Sequence, residues 1–116
     1  MAKPVDERRK YPRLRREEKA VIRRLEGLDP DAITSAIYCK TVDVSAAGMQ
    51  LRLRSQLRPG EPVDIVINME GYSGTFHLLG ATKWCRPMSS EDGCVAGIEL
   101  VDAERSDFAS WRQVFN

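Results

Sequence analysis

The sequence predicts an all-β fold: a small antiparallel six-stranded β-barrel with a short C-terminal α-helix. Short runs that are β-branched, or that alternate apolar and polar residues, recur between clusters of Gly, Pro, Asp and Ser, the punctuation of a barrel. No helix-spaced run separates these strands, which argues against βαβ crossovers. Helical spacing stands only at the end, where Phe108, Trp111 and Phe115 share one stripe. A chain of 116 residues with 42% hydrophobic content suffices for one core and not for two.

Residues 1–7 are polar, contain Pro4 and show no period, so they read as a disordered tail ahead of a single domain over 8–116. Within that domain, 8–18 is a basic segment, 19–101 the barrel and 102–116 the closing helix. Lys19–Arg24 sets an apolar pair between charges and reads as a first strand, although Arg15-Arg16-Glu17-Glu18 before it also suits a helical turn. Gly27-Leu28-Asp29-Pro30-Asp31 marks a turn. The β-branched stretch from Ile33 to Val44 is a strand that delivers Asp43 and Ser45 at its end.

Met49-Gln50-Leu51-Arg52-Leu53-Arg54 alternates with period two, which sends the leucines inward and the arginines outward. A turn at Arg58–Pro62 leads into a strand over Val63–Met69, and Glu70–Gly74 reverses the chain as a hairpin. Thr75–Arg86 is long for one strand, and Gly80 within it signals a bulge or a close backbone approach. After a polar loop at 87–93, Cys94–Val101 is the last strand, with Gly97 admitting tight packing. Asp102 and Ser106 are both candidate N-caps for the helix. The aromatic stripe of that helix either plugs one mouth of the barrel or presents a docking face.

The net charge of +1 hides an asymmetry: residues 1–24 carry +6 and residues 25–116 carry −5. An anion site is therefore local, whereas a general nucleic-acid binder is basic over a broad face. No run approaches the ~18 apolar residues of a membrane span, and the N-terminus lacks an apolar signal core, which points to the cytoplasm. Cys39, Cys85 and Cys94 are odd in number and lack C-x-x-C spacing, so neither a disulfide framework nor a metal site is expected. With His77 as the sole histidine, no nucleophile–histidine–acid triad assembles, and the chain reads as a non-enzyme.

Two stretches carry the binding chemistry. Arg8-Arg9-Lys10-Tyr11-Pro12-Arg13 packs four cations into six residues, and its proline favours extended chain, in which Arg9 and Arg13 project to one side. Guanidinium forks hold phosphate or a guanine edge bidentately, although such a run is also consistent with a solvated tail. In Asp43-Val44-Ser45-Ala46-Ala47-Gly48, a carboxylate can accept from guanine N1 and N2, and a serine hydroxyl and turn amides can meet a phosphate oxygen. The same hexapeptide also reads as a turn, with Gly48 permitting φ > 0. Trp84 is either a stacking platform for a base or a core or barrel-end residue.

Together, Arg9-x-x-x-Arg13 and Asp43-x-Ser45-x-x-Gly48 resemble the signature of the PilZ domain family, and the resemblance runs over roughly residues 7–116. It implies a barrel that binds the bacterial second messenger cyclic di-GMP and passes the signal to an effector protein. It assigns ligand contacts to Arg9, Arg13, Asp43, Ser45 and Gly48, with Trp84 on a strand that lines the nucleotide. Arg8, immediately before the first motif, implies two intercalated cyclic di-GMP molecules per chain. The competing expectation is an OB-type barrel binding single-stranded RNA or DNA, with Trp84 or Tyr11 stacking on bases.

Overall fold

The computed structural model describes residues 14–25, 36–72, 74–88 and 93–115. Its elements in order are β1 (Leu14–Arg15), β2 (Lys19–Arg24), β3 (Ala36–Val44), β4 (Gly48–Leu53), β5 (Pro62–Asn68), β6 (Thr75–Pro87), β7 (Cys94–Val101) and α1 (Phe108–Val114). All pairings are antiparallel, in the order β1-β3-β2-β5-β6-β7-β4, and β4 returns to β3 to close a six-stranded barrel. The extra strand β1 lies against the end of β3, with Leu14 opposite Val44 and Arg15 opposite Asp43. β2 pairs with the preceding stretch of β3, Ala36 to Lys40. The turn expected at 27–31 and the start of the strand expected from Ile33 lie outside the described residues.

Alternation explains what each strand buries. Leu51 and Leu53 of β4 point inward, and Arg52 and Arg54 face solvent, as their period requires. Ile22, Val63, Ile65 and Leu78 complete the interior from β2, β5 and β6. Burying such a side chain contributes about 1.5–3 kcal/mol, and closure leaves the six barrel strands without an open edge between them. Arg15 and Arg16, where a helical turn was an alternative, lie in β1 and the link that follows it.

Two local expectations are refined. Gly80 is a point of close approach, since a Cβ there would lie 2.9 Å from the Glu99 carbonyl oxygen. The bulge in β6 falls further on, between Thr82 and Trp84. The helix N-cap is Asp107, rather than Asp102 or Ser106, and its carboxylate makes no cap bond. That carboxylate accepts instead from the His77 backbone N–H (2.8 Å), while the Asp107 N–H donates to the His77 carbonyl (2.8 Å). The helix start is thereby tied to β6, and this bond outcompetes local capping.

The aromatic stripe is core. Trp111 is fully buried, edge-on to Phe76 (centroids 5.4 Å apart) and tilted against Phe115 (5.2 Å). Each such pair adds about 0.5–1.5 kcal/mol beyond burial. Cys39 and Cys94 are buried and Cys85 half-buried, all as free thiols in strands. Among the described residues, no helix is long and apolar enough to cross a membrane.

Candidate functional site

The turn between β3 and β4 is built by Ser45. Its backbone N–H donates to the Gly48 carbonyl (2.8 Å), and its hydroxyl accepts from the N–H groups of Ala47 (3.3 Å) and Gly48 (3.2 Å). The hydroxyl also donates to the Gly48 carbonyl (3.3 Å), and Ser45 is buried. The expectation of a hydroxyl open to a phosphate thus meets a side chain already committed to shaping its own turn.

Two further bonds clamp this turn. The Leu100 N–H of β7 donates to the Ala47 carbonyl (2.8 Å), and the Trp111 indole Nε1–H donates to the Ser45 carbonyl (2.9 Å). The second bond reaches across 66 positions of sequence, and sequence reasoning missed it. An aromatic stripe carries no mark of which carbonyl an indole will find.

Gly48 is not a residue of positive φ. Its need for glycine comes from β7: a Cβ would lie 2.4 Å from the Ile98 carbonyl oxygen. Asp43 is half-buried just after a β-bulge in β3, between Arg15 of β1 and Gln50 of β4. A bulge re-aims the side chain that follows it.

Trp84 lies on the outer wall of the barrel. Its ring covers Gly97 so closely that a Cβ there would sit 2.4 Å from indole Cε2 and Nε1. The Arg86 guanidinium stands 4.7 Å from the ring centroid. A cation over an indole contributes about 0.5–1 kcal/mol at an exposed site and pre-positions the ring.

The bulge at Lys83 and the Gly48 turn together frame a cleft of about 270 Å³ that includes Ser45, Gly48, Gln50, Lys83, Trp84 and Glu99. Lys83 and Glu99 form an exposed ion pair across its rim at 3.4 Å, a kind of pair that contributes little stability. Ser45, Gly48 and Trp84 therefore meet in one cleft, and Asp43 sits beside it, opposite Gln50. Gln50 was legible in principle, because it shares an outward face of β4 with Gly48.

The model of the PilZ domain matches residues 7–113. The chain belongs to the PilZ domain family. Among solved structures, this PilZ domain is similar to the inhibitor of motility MotI/DgrA of Bacillus subtilis. The TM-score is 0.71 at 15% identity, over 93% of this chain and 49% of that one. It is also similar to the PilZ domain of YcgR from Escherichia coli, solved with c-di-GMP. There the TM-score is 0.65 at 17% identity, over 94% and 89% of the two chains. The PilZ domain of CeSA from a cellulose-synthesising bacterium aligns with TM-score 0.59 at 15% identity, over 90% and 94%. The chain spans about half the length of MotI/DgrA. No curated protein matches it in sequence. At these identities the structural likeness shows the PilZ fold alone.

Arg8, Arg9 and Arg13 lie outside the described residues. The described part of the same segment is held firmly. Arg16 bonds Glu18 Oε2 (2.9 Å from Nε) and the Glu70 carbonyl (3.1 Å), and the Thr41 hydroxyl donates to the Arg16 carbonyl and accepts from the Glu18 N–H (2.8 Å). Among the described residues of this PilZ domain, no group of three or more His, Cys, Asp or Glu side chains is placed to hold a metal ion.

Proposed function

We propose that this PilZ domain, a single unit over 8–116, is a cyclic di-GMP receptor that acts as an adaptor in the bacterial cytoplasm, without catalysis or membrane insertion. The dinucleotide bridges the basic segment 8–18 and the Asp43–Gly48 turn, orders Arg8, Arg9 and Arg13 on the barrel, and creates a surface for an effector protein. The observation that carries this reading is the β1–β3 ladder. Leu14, one residue after Arg13, pairs with Val44, and Arg15 pairs with Asp43, so the basic segment leads directly to the turn.

In this reading the arginines hold phosphates and guanine edges, Asp43 accepts from guanine N1 and N2, and Trp84 offers an indole face beside Ser45 and Gly48. Arg8 offsets the repulsion among the four phosphates of an intercalated ligand pair. The YcgR domain of the same fold was solved with c-di-GMP, which supports the ligand class.

Calorimetric titration tests the proposal. Wild type should take up two cyclic di-GMP per chain, and Arg8→Leu one. Arg9→Ala or Arg13→Ala should each lose ~1.5–3 kcal/mol of binding without unfolding the barrel, the scale of a charge-assisted hydrogen bond. Asp43→Ala should lose discrimination against cyclic di-AMP, whose adenine lacks those donors. Undiminished affinity in both arginine variants refutes the site, and saturation of wild type at one ligand refutes the pair. Tighter binding of a single-stranded oligonucleotide selects the OB-type alternative.

A further inference from the structure

A depression of about 670 Å³ lies away from the nucleotide cleft, on the outer face of β5, β2, β3 and β4. Its cations are Lys19, Lys40, Arg52 and Arg54, and none of the described residues that line it is a carboxylate, although the whole chain balances 18 Lys and Arg against 17 Asp and Glu. Three of the cations stand directly opposite one another across neighbouring strands, Lys19 facing Lys40 and Lys40 facing Arg52. Directly opposed side chains have Cβ atoms about 5 Å apart, and like charges there destabilise a sheet. Elsewhere in the fold, Arg16, Arg24 and Lys83 are each paired with a carboxylate.

Next to this row lies an apolar one. Tyr38 faces Val21, and Val21 faces Val66 on the following strand. Tyr38 is 79% exposed and Val66 40% exposed, although both sit mid-strand in a barrel with a full core. An exposed aromatic flanked by aliphatic residues and rimmed by cations has the anatomy of a protein-binding hot spot.

We infer that this face docks an acidic, extended segment of a partner protein, whose carboxylates neutralise the Lys19–Lys40–Arg52 row while an apolar side chain packs on Tyr38, Val21 and Val66. The occupant follows from charge complementarity. Four cations that meet no carboxylate among the described residues of the groove select an anion, and the apolar row selects a partner with side chains to bury rather than a free ion. A nucleic acid is the weaker match, because residues 25–116 carry −5 and repel a polyanion over a wider area. The groove is distinct from the nucleotide cleft, so the inference stands or falls independently of cyclic di-GMP binding.

The test is selection of random peptides, about twelve residues long, displayed against the full chain without nucleotide, followed by affinity measurement on a synthetic consensus peptide. The enriched sequences should combine Asp and Glu with an apolar or aromatic residue, and their affinity should fall with rising salt. Binding should drop at least about tenfold in the double variant Lys40→Glu with Arg52→Glu, and also in Tyr38→Ser. Lys40→Glu alone should also weaken binding and should raise the melting temperature, because it turns two repulsive cross-strand pairs into attractive ones, so the binding it loses cannot be ascribed to unfolding. Enrichment of non-acidic peptides, equal affinity for the charge-reversed and wild-type proteins, or tighter binding of an oligothymidine through the same residues overturns the inference.

Discussion

Gly97→Ala, made in the presence and in the absence of Trp84, tests whether the outer wall of the cleft is set by contact between ring and backbone. The added Cβ would lie 2.4 Å from the indole, whereas relaxed carbon contacts stand at about 3.5–4.0 Å, so something must withdraw by at least about 1 Å. Gly97 pairs with Gln50 on one side and Trp84 on the other, so its strand is held by two ladders and the ring is what gives way. Overpacking of this kind costs about 1–3 kcal/mol. In the Trp84→Ala background no ring opposes the methyl, and the substitution should be neutral or slightly stabilising, because glycine within a strand is itself unfavourable.

The expected coupling energy is therefore about 1–3 kcal/mol, read from urea midpoints of wild type, both single variants and the double variant by far-ultraviolet circular dichroism. If Trp84 lines the ligand as proposed, cyclic di-GMP affinity should also fall in Gly97→Ala, since the ring leaves the position beside Ser45 and Gly48. An equal cost of Gly97→Ala in both backgrounds would refute the reasoning.

Trp111→Phe keeps an aromatic in the core but removes the bond to the Ser45 carbonyl, and should cost about 2–4 kcal/mol from a lost buried hydrogen bond plus a partly filled cavity. Amide exchange at Ala47 and Gly48 should quicken in that variant and stay slow in Phe115→Leu; unchanged protection in Trp111→Phe would show that the indole does not hold the turn. Arg24→Ala strips the fully buried Glu61 carboxylate of its 2.6 Å ion-pair partner, leaving the Arg58 N–H (2.9 Å). A loss of about 2–4 kcal/mol is expected, less than for a wholly buried pair because Arg24 is itself 35% exposed, and a urea midpoint unchanged from wild type would count against it. Burial pushes the Cys39 thiol up to about 12, so it stays protonated and unreactive at pH 8, and burial with Cys85 alongside raises that of Cys94. Mass spectrometry after brief alkylation should find half-buried Cys85 modified first; labelling of Cys39 at an equal rate would contradict its burial.

Whatever depends on a local period was legible in the sequence. The alternation in Met49–Arg54 assigned the faces of β4, the helical spacing of Phe108, Trp111 and Phe115 grouped them on one face of the helix, and the two short motifs pointed to the family. These follow from backbone geometry within one element, where side chains repeat every two or 3.6 residues whatever the rest of the chain does.

Closure of the barrel decided the rest. It fixed which strand lies beside which, so that Trp84 covers Gly97, Gly48 abuts the Ile98 carbonyl, and the Trp111 indole meets Ser45. It also set Lys19, Lys40 and Arg52 in one row, although they come from three strands and share no motif. Such contacts depend on register between strands distant in sequence, and a shift of one residue turns every side chain to the opposite face. The alternation of a strand shows which residues share a face, but only the closed sheet determines what that face meets.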